Sequence, residues 1–317
     1  MRSPRALAPL LLLSLGAAAP PDKGAAPAID LVPVGFILET LYEGALAGPR
    51  DVFVDRAHGE VLVADTRNHR IDLFTLDGVP IFSFGSPALF REPARVCVDP
   101  AGRILVLDND RSAVKVFSYR GEALGTLPLP GAPRSLRIGA LAFDAQQNLY
   151  VGDNASGQVL VWDAARRLRR KFGAPGAGEG QFKSIAGIVA DEKNVFVIDH
   201  LAIAVQRFDR HGNFERGWGA HDMGAWNFSL PQAIVLDREG RVLVSDGLRH
   251  DVKAFDREGR FLGQFGGFGS GPGNLAFPDG LAIAGDRLYV AEHGGDRVQA
   301  FRIARPRVES PRQRRAR

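Results

Sequence analysis

An acidic residue that closes a short apolar run recurs along this chain at nearly constant spacing. It falls at Asp65, Asp108, Asp153, Asp199, Asp246 and Glu292, in steps of 43, 45, 46, 47 and 46 residues. Nine residues after each stands an aromatic: Phe74, Phe117, Trp162, Phe208, Phe255 and Phe301. Self-similarity at this period marks a repeat architecture, in which one supersecondary unit is copied and its copies stack. A fixed nine-residue offset means a hairpin of fixed register, because a slip of one residue would turn every side chain to the other face.

Each copy reads as a set of strands. A first apolar run ends in Asp in five copies (Asp55, Asp99, Asp144, Asp191, Asp237), and the sixth, Leu281-Ala282-Ile283, lacks it. A short turn leads to a second run ending in the acidic residue, and a third ends in the aromatic. The turns carry what turns need, as in Asp99-Pro100-Ala101-Gly102 and Asp237-Arg238-Glu239-Gly240. The recurring Asp can cap backbone N–H groups of the loop behind it, so it is discounted as a catalyst. The aromatic reads as core between units. A fourth strand follows in most copies, at residues 80–85, 168–173, 214–219 and 261–266. The sixth copy stops at its third strand, and residues 34–41 supply a candidate fourth. The fold class is therefore all-β: a six-bladed β-propeller of four-stranded blades, its last blade closed by an N-terminal strand that leaves no open edge.

The two ends differ from the body. Arg2 and Arg5 precede an apolar stretch at residues 7–15 and the small residues Gly16-Ala17-Ala18-Ala19, the pattern of a secretory signal peptide. Residues 1–28 are assigned to it, 29–304 to the propeller and 305–317 to a basic disordered tail. That places the protein in the cell envelope, secreted or periplasmic. No later run approaches the roughly 20 apolar residues needed to span a bilayer. The tail holds six arginines against Glu309, while the whole chain carries a formal charge of +4. The body is thus close to neutral and lacks a nucleic-acid footprint. The tail itself could touch an anionic envelope polymer or lipid surface. The single cysteine, Cys97, excludes an internal disulfide and reads as a small buried hydrophobe.

The copy Val63-Ala64-Asp65-Thr66-Arg67-Asn68-His69-Arg70-Ile71 resembles the signature of NHL repeats, and the linkers at 172–182 and 265–278 resemble NHL inter-blade connections. The resemblance covers residues 31–301. It implies a six-bladed propeller and says little of function, since NHL propellers include protein- and RNA-binding modules, a peptidyl-hydroxyglycine lyase and many exported bacterial proteins. A shared fold does not transfer activity. The Gly-rich linkers are not phosphate loops, because no Lys-Ser/Thr opens a helix after them.

In a four-stranded blade the loops between strands two and three share one face with the inter-blade crossovers. This crossover face collects Arg50, Asp51, Arg95, Arg137, Trp226 and Asp279, a mixture of charge with one aromatic that suits a binding surface. His200 and His293 directly follow the second-strand acid in copies four and six. Histidines around a channel mouth could hold a metal ion, zinc or calcium, as the lyase resemblance implies. The tyrosine such a lyase wants near its metal has no good candidate here. No Ser–His–Asp spacing, carboxylate pair or Cys–His couple stands out. Two readings follow. The favoured one is an exported, monomeric, non-enzymatic binding or scaffold module for a protein, peptide or envelope glycan, with no nucleic-acid partner and no cofactor. The alternative is a metal-dependent lyase or hydrolase at the central channel mouth, using His200 and His293 with Asp279 or Asp51.

Overall fold

A computed structural model describes residues 29–37, 44–110, 113–222, 224 and 226–304. The signal-peptide assignment (1–28), the basic tail (305–317) and part of the N-terminal strand assignment (38–41) lie outside them. The described chain forms six four-stranded antiparallel sheets, each following the chain from its innermost to its outermost strand except the last. Blade 1 holds Pro49–Asp55, Glu60–Asp65, Arg70–Thr75 and Pro80–Gly85. Blade 2 holds Pro93–Val98, Ile104–Asp108, Val114–Phe117 and Ala123–Thr126, and blade 3 holds Ile138–Phe143, Leu149–Asp153, Gln158–Trp162 and Leu168–Phe172. Blade 4 holds Ile185–Ala190, Asn194–Asp199, Val205–Asp209 and Phe214–Trp218. Blade 5 holds Pro231–Leu236, Val242–Asp246, Asp251–Phe255 and Phe261–Gly266.

Blade 6 closes the ring. Its Pro278–Ala284, Arg287–Glu292 and Arg297–Ala304 strands are completed by Asp30–Ile37, which runs antiparallel to the last, with Asp30 opposite Ala304 and Ile37 opposite Val298. This closing strand starts four residues before the expected one. The reason is burial: Ile29 and Leu31 pack with Leu243, Leu281 and Phe301 between blades 5 and 6. Among the described residues no helix is long and apolar enough to cross a membrane.

The repeat spacing translates directly into register. The aromatic closing strand three stands opposite the first apolar residue of strand two in every blade: Val61 with Phe74, Ile104 with Phe117, Leu149 with Trp162, Val195 with Phe208, Val242 with Phe255 and Leu288 with Phe301. All six aromatics are buried, and burying each contributes about 1.5–3 kcal/mol. They sit in apolar clusters that bridge neighbouring blades, such as Phe255 with Phe196, Trp218 and Phe228 between blades 4 and 5. Successive innermost strands pack against one another around the ring, but those of blades 2 and 3 stand further apart than the other pairs. That seam is filled instead by Leu105, Leu107, Trp162 and the crossover residues Leu127 and Leu129.

Candidate functional site

The recurrent acids are structural. Each accepts backbone N–H groups of the crossover entering its own blade: Asp65 from Ala47 at 2.7 Å, Asp108 from Arg91 and Glu92 at 2.9 and 2.7 Å, Asp153 from Arg137 at 2.9 Å. Asp199 does so from Lys183 and Ser184, Asp246 from Ser229 and Leu230, and Glu292 from Ala276. Four of them also pair with a cation from strand three. These are Asp65 with Arg70 at 3.0 Å, Asp108 with Lys115 at 2.8 Å, Asp246 with Lys253 at 3.4 Å and Glu292 with Arg297 at 2.6 Å. A buried carboxylate so occupied is a fixed strut.

The innermost strands bring four of the proposed site residues together at the crossover end of the channel. Arg50 and Asp51 lie near the start of the blade 1 strand, Arg95 on that of blade 2 and Asp279 on that of blade 6. Arg95 Nη1 donates to Asp279 Oδ1 at 3.1 Å, to the Arg50 carbonyl at 3.3 Å and to the Ala94 carbonyl at 3.0 Å. Its Nη2 donates to the Gln232 carbonyl of blade 5 at 3.3 Å. One guanidinium therefore links blades 2, 1, 6 and 5 across the mouth. Asp51 accepts the Val96 N–H at 2.9 Å. Burial pushes its carboxyl up to about 7, although Arg95 and the Val96 N–H pull the other way; Asp279 reinforces the rise. Burial also works against the charge on Arg95, but Asp279 and Asp51 outweigh it and hold the guanidinium above its ordinary value.

The remaining residues lie apart from this group. His200 approaches Gln232 Oε1 through Nε2 at 3.3 Å and Ser184 Oγ through Nδ1 at 3.4 Å. His293 Nδ1 lies 3.2 Å from the Gly48 carbonyl, on the opposite side of its blade from His200. Arg137 is exposed, with its backbone N–H on Asp153. Trp226 is half-buried against the core between blades 4 and 5. Among the described residues no group of three or more His, Cys, Asp or Glu side chains is disposed to hold a metal ion. Cys97 is not enclosed in a core as expected. It is half-buried and lines the channel, where burial raises its thiol above the ordinary value.

The structure adds a cluster that repeat-based reading passed over. On the crossover face the His250 ring sits 4.8 Å from that of Phe268 and 4.5 Å from that of Phe277, centroid to centroid. Phe268 is 72% exposed and Phe277 42%. Phe277 has φ of 52°, a left-handed backbone that bulky residues rarely adopt. It is held there by its N–H donating to His250 Nδ1 at 3.1 Å and by its carbonyl accepting from His293 at 3.1 Å. Gly294 lies under its ring, where an added Cβ would come within 2.6 Å of Phe277 Cδ2. Leu248, in the same loop as His250, and Leu201, in the equivalent loop of blade 4, are 55% and 63% exposed. The signal was present in the extra phenylalanines of the 265–278 linker, which fall outside the repeat period.

The NHL repeat family model matches residues 46–71 and 90–117, which cover the inner strands of blades 1 and 2. The chain is a six-bladed β-propeller whose first two blades match NHL repeats. No curated protein matches it in sequence. Among solved structures, this propeller is similar to an auxiliary nutrient binding protein from Bacteroides thetaiotaomicron, with a TM-score of 0.65 at 12% identity over 87% of this chain and 77% of that one. It is similar to a gluconolactonase from Xanthomonas campestris, with a TM-score of 0.62 at 17% identity over 88% and 99%. It is also similar to virginiamycin B lyase from Staphylococcus aureus, with a TM-score of 0.56 at 13% identity over 89% and 90%. At such identities the likeness is one of fold.

Proposed function

We propose that this propeller is an exported, non-enzymatic binding module that holds a protein, peptide or envelope glycan on its crossover face. The observation that carries the reading is the exposed Phe268–His250–Phe277 cluster, with Leu248 beside it in sequence. Exposed apolar patches rimmed by polar groups mark interaction sites, and rigid aromatic anchors dominate the energy of such contacts. Phe277 is fixed by the His250 and His293 hydrogen bonds, so little freedom is lost when a ligand packs on it. The polar groups at the channel mouth are by contrast engaged with one another. The N-terminal basic-apolar-small pattern supports export.

The test is to probe peptide and glycan arrays with the intact protein and with a Phe268→Ala/Phe277→Ala variant. Removing a hot-spot anchor costs about 2 kcal/mol, or roughly thirtyfold in affinity. Ligands found with the wild type and kept unchanged by the variant would reject the face. Elemental analysis of the same preparations covers the alternative. Stoichiometric zinc or calcium, lost in a His200→Ala/His293→Ala variant, would favour the metal-dependent lyase or hydrolase.

A further inference from the structure

The channel itself carries features of a second site. Its crossover half encloses a cavity of about 290 Å³. The wall is apolar and drawn from all six blades: Phe53, Cys97, Leu105, Phe143, Val189 and Val235, with Leu281 of blade 6. All but Leu105 stand on innermost strands, and Phe53, Cys97, Phe143, Val189 and Val235 remain half-buried. Leu105 reaches the cavity from a second strand, through the wider seam between blades 2 and 3. Polar groups converge at one end only, where the Asp51 and Arg95 side chains and the Gln232 carbonyl lie together. A concave apolar wall with a few convergent polar groups is the usual form of a small-molecule site.

The two ends of the channel are unlike. At the crossover end the Arg95 guanidinium is tethered to blades 1, 5 and 6 and stands across the mouth. At the other end the cavity continues into a funnel of about 750 Å³ that shares Phe53, Phe143, Val189 and Val235 with it. The rim of the funnel is formed by the turns between first and second strands, with Arg56, Glu192 and Arg238 exposed.

We propose that the channel binds a small, uncharged, largely apolar molecule that enters from the turn face and sets one hydrogen-bonding group against Asp51, Arg95 and Gln232. Size follows from the cavity, which equals the liquid volume of about ten waters, at roughly 30 Å³ each, and so suits on the order of ten to fifteen non-hydrogen atoms. Neutrality follows from the ion pairing. The charge of Arg95 is already met by Asp279 at 3.1 Å, so a ligand anion would lie buried without its own counter-ion, and a ligand cation would face the guanidinium. The reluctance of Asp51 to ionise beside the same guanidinium points the same way.

The test uses 2-naphthamide, an uncharged fluorophore of about thirteen non-hydrogen atoms and so within that size, and 2-naphthoate, an anion with the same number of non-hydrogen atoms. Cys97, the one cysteine of the chain, reports occupancy through its rate of modification by methyl methanethiolsulfonate. The neutral probe is expected to bind saturably at one per chain. At ten times its Kd it should slow Cys97 modification about tenfold, the fraction of sites left empty. Both effects should persist in the Phe268→Ala/Phe277→Ala variant, and the anionic probe should bind at least about tenfold more weakly, a difference of 1.4 kcal/mol. Absence of binding, binding that leaves Cys97 unprotected, or binding lost in the aromatic variant would overturn the channel site. Equal protection by the anionic probe would overturn its preference for a neutral ligand. The crossover-face reading survives any of these outcomes, because it rests on different residues.

Discussion

Replacing Asp51 with Asn changes how stability depends on pH, and the structure fixes both sign and size. The Asp51 carboxyl moves from an ordinary value of 3.8 to about 7 on folding. The folded state therefore holds this proton more tightly than the unfolded state. Its contribution to stability is fully present below about pH 4 and is lost as pH rises through about 7. A shift of about three pKa units at 1.36 kcal/mol each gives a ceiling of about 4 kcal/mol. The channel beside Asp51 admits solvent, which lowers the figure to about 2–4 kcal/mol. Asn has the same shape, carries no charge and keeps an oxygen for the Val96 N–H. Urea unfolding of both proteins at pH 4.5, 6 and 8 measures the effect. Asp72, pushed up to about 7 by burial despite the Ser83 hydroxyl, titrates in the same window. The wild-type profile alone is therefore ambiguous, and the variant-minus-wild-type difference is the quantity to read. It should grow in favour of Asn by about 1.5–3 kcal/mol from pH 4.5 to pH 8, because the unfolded chain's carboxyl is already largely ionised at pH 4.5. A difference that stays flat across that range would show that Asp51 is ionised in the folded protein and that Arg95 serves it as much as Asp279.

Two further outcomes are expected. Arg95→Met should destabilise the fold by about 3–5 kcal/mol in urea unfolding, because it leaves Asp279 at the mouth without its cation, and Arg95→Met/Asp279→Leu should recover most of that loss. Deleting residues 29–37 should remove the outermost strand of blade 6 and with it the buried side chains Ile29, Leu31 and Ile37, uncovering the apolar clusters of blades 5, 6 and 1 that they pack against. At about 1.5–3 kcal/mol for each apolar side chain, this approaches the whole stability of a domain, about 5–15 kcal/mol. Loss of the cooperative thermal transition is the expected readout, and a transition retained at the same midpoint would show that ring closure is dispensable.

What the sequence revealed about the fold is what the ring repeats. Burial between blades imposes the same demand on each copy, so Val61 opposite Phe74 and Leu288 opposite Phe301 leave the same nine-residue trace after the acid. Elements outside that demand leave little trace. The fourth strand of blade 2, Ala-Leu-Gly-Thr at Ala123–Thr126, is exposed at every position and therefore carries no apolar alternation. The closing strand was visible as an apolar stretch, but its register depends on Ile29 and Leu31, which answer to the partner blade and not to the repeat.

The candidate site shows a rule of radius. Equivalent positions in two blades are related by rotation about the channel axis, so they converge only when they lie close to it. Arg50, Asp51, Arg95 and Asp279 sit on innermost strands, and blades 1, 2 and 6 bring the Arg50 carbonyl and the Asp279 carboxylate onto the Arg95 guanidinium and Asp51 onto the adjacent Val96 N–H. His200 and His293 also occupy equivalent positions, but on loops that follow second strands, two blades apart. Each accordingly bonds to a neighbouring blade, His200 to Gln232 and His293 to Gly48. Equivalence in a repeat is therefore evidence of a shared site only for residues of the innermost strand. Gln232 obeys the same rule. It stands one residue after the proline that faces the repeat acid, the position held by Arg50 and Asp279 in blades 1 and 6, and the assembled ring places its carbonyl on Arg95 and its side chain on His200.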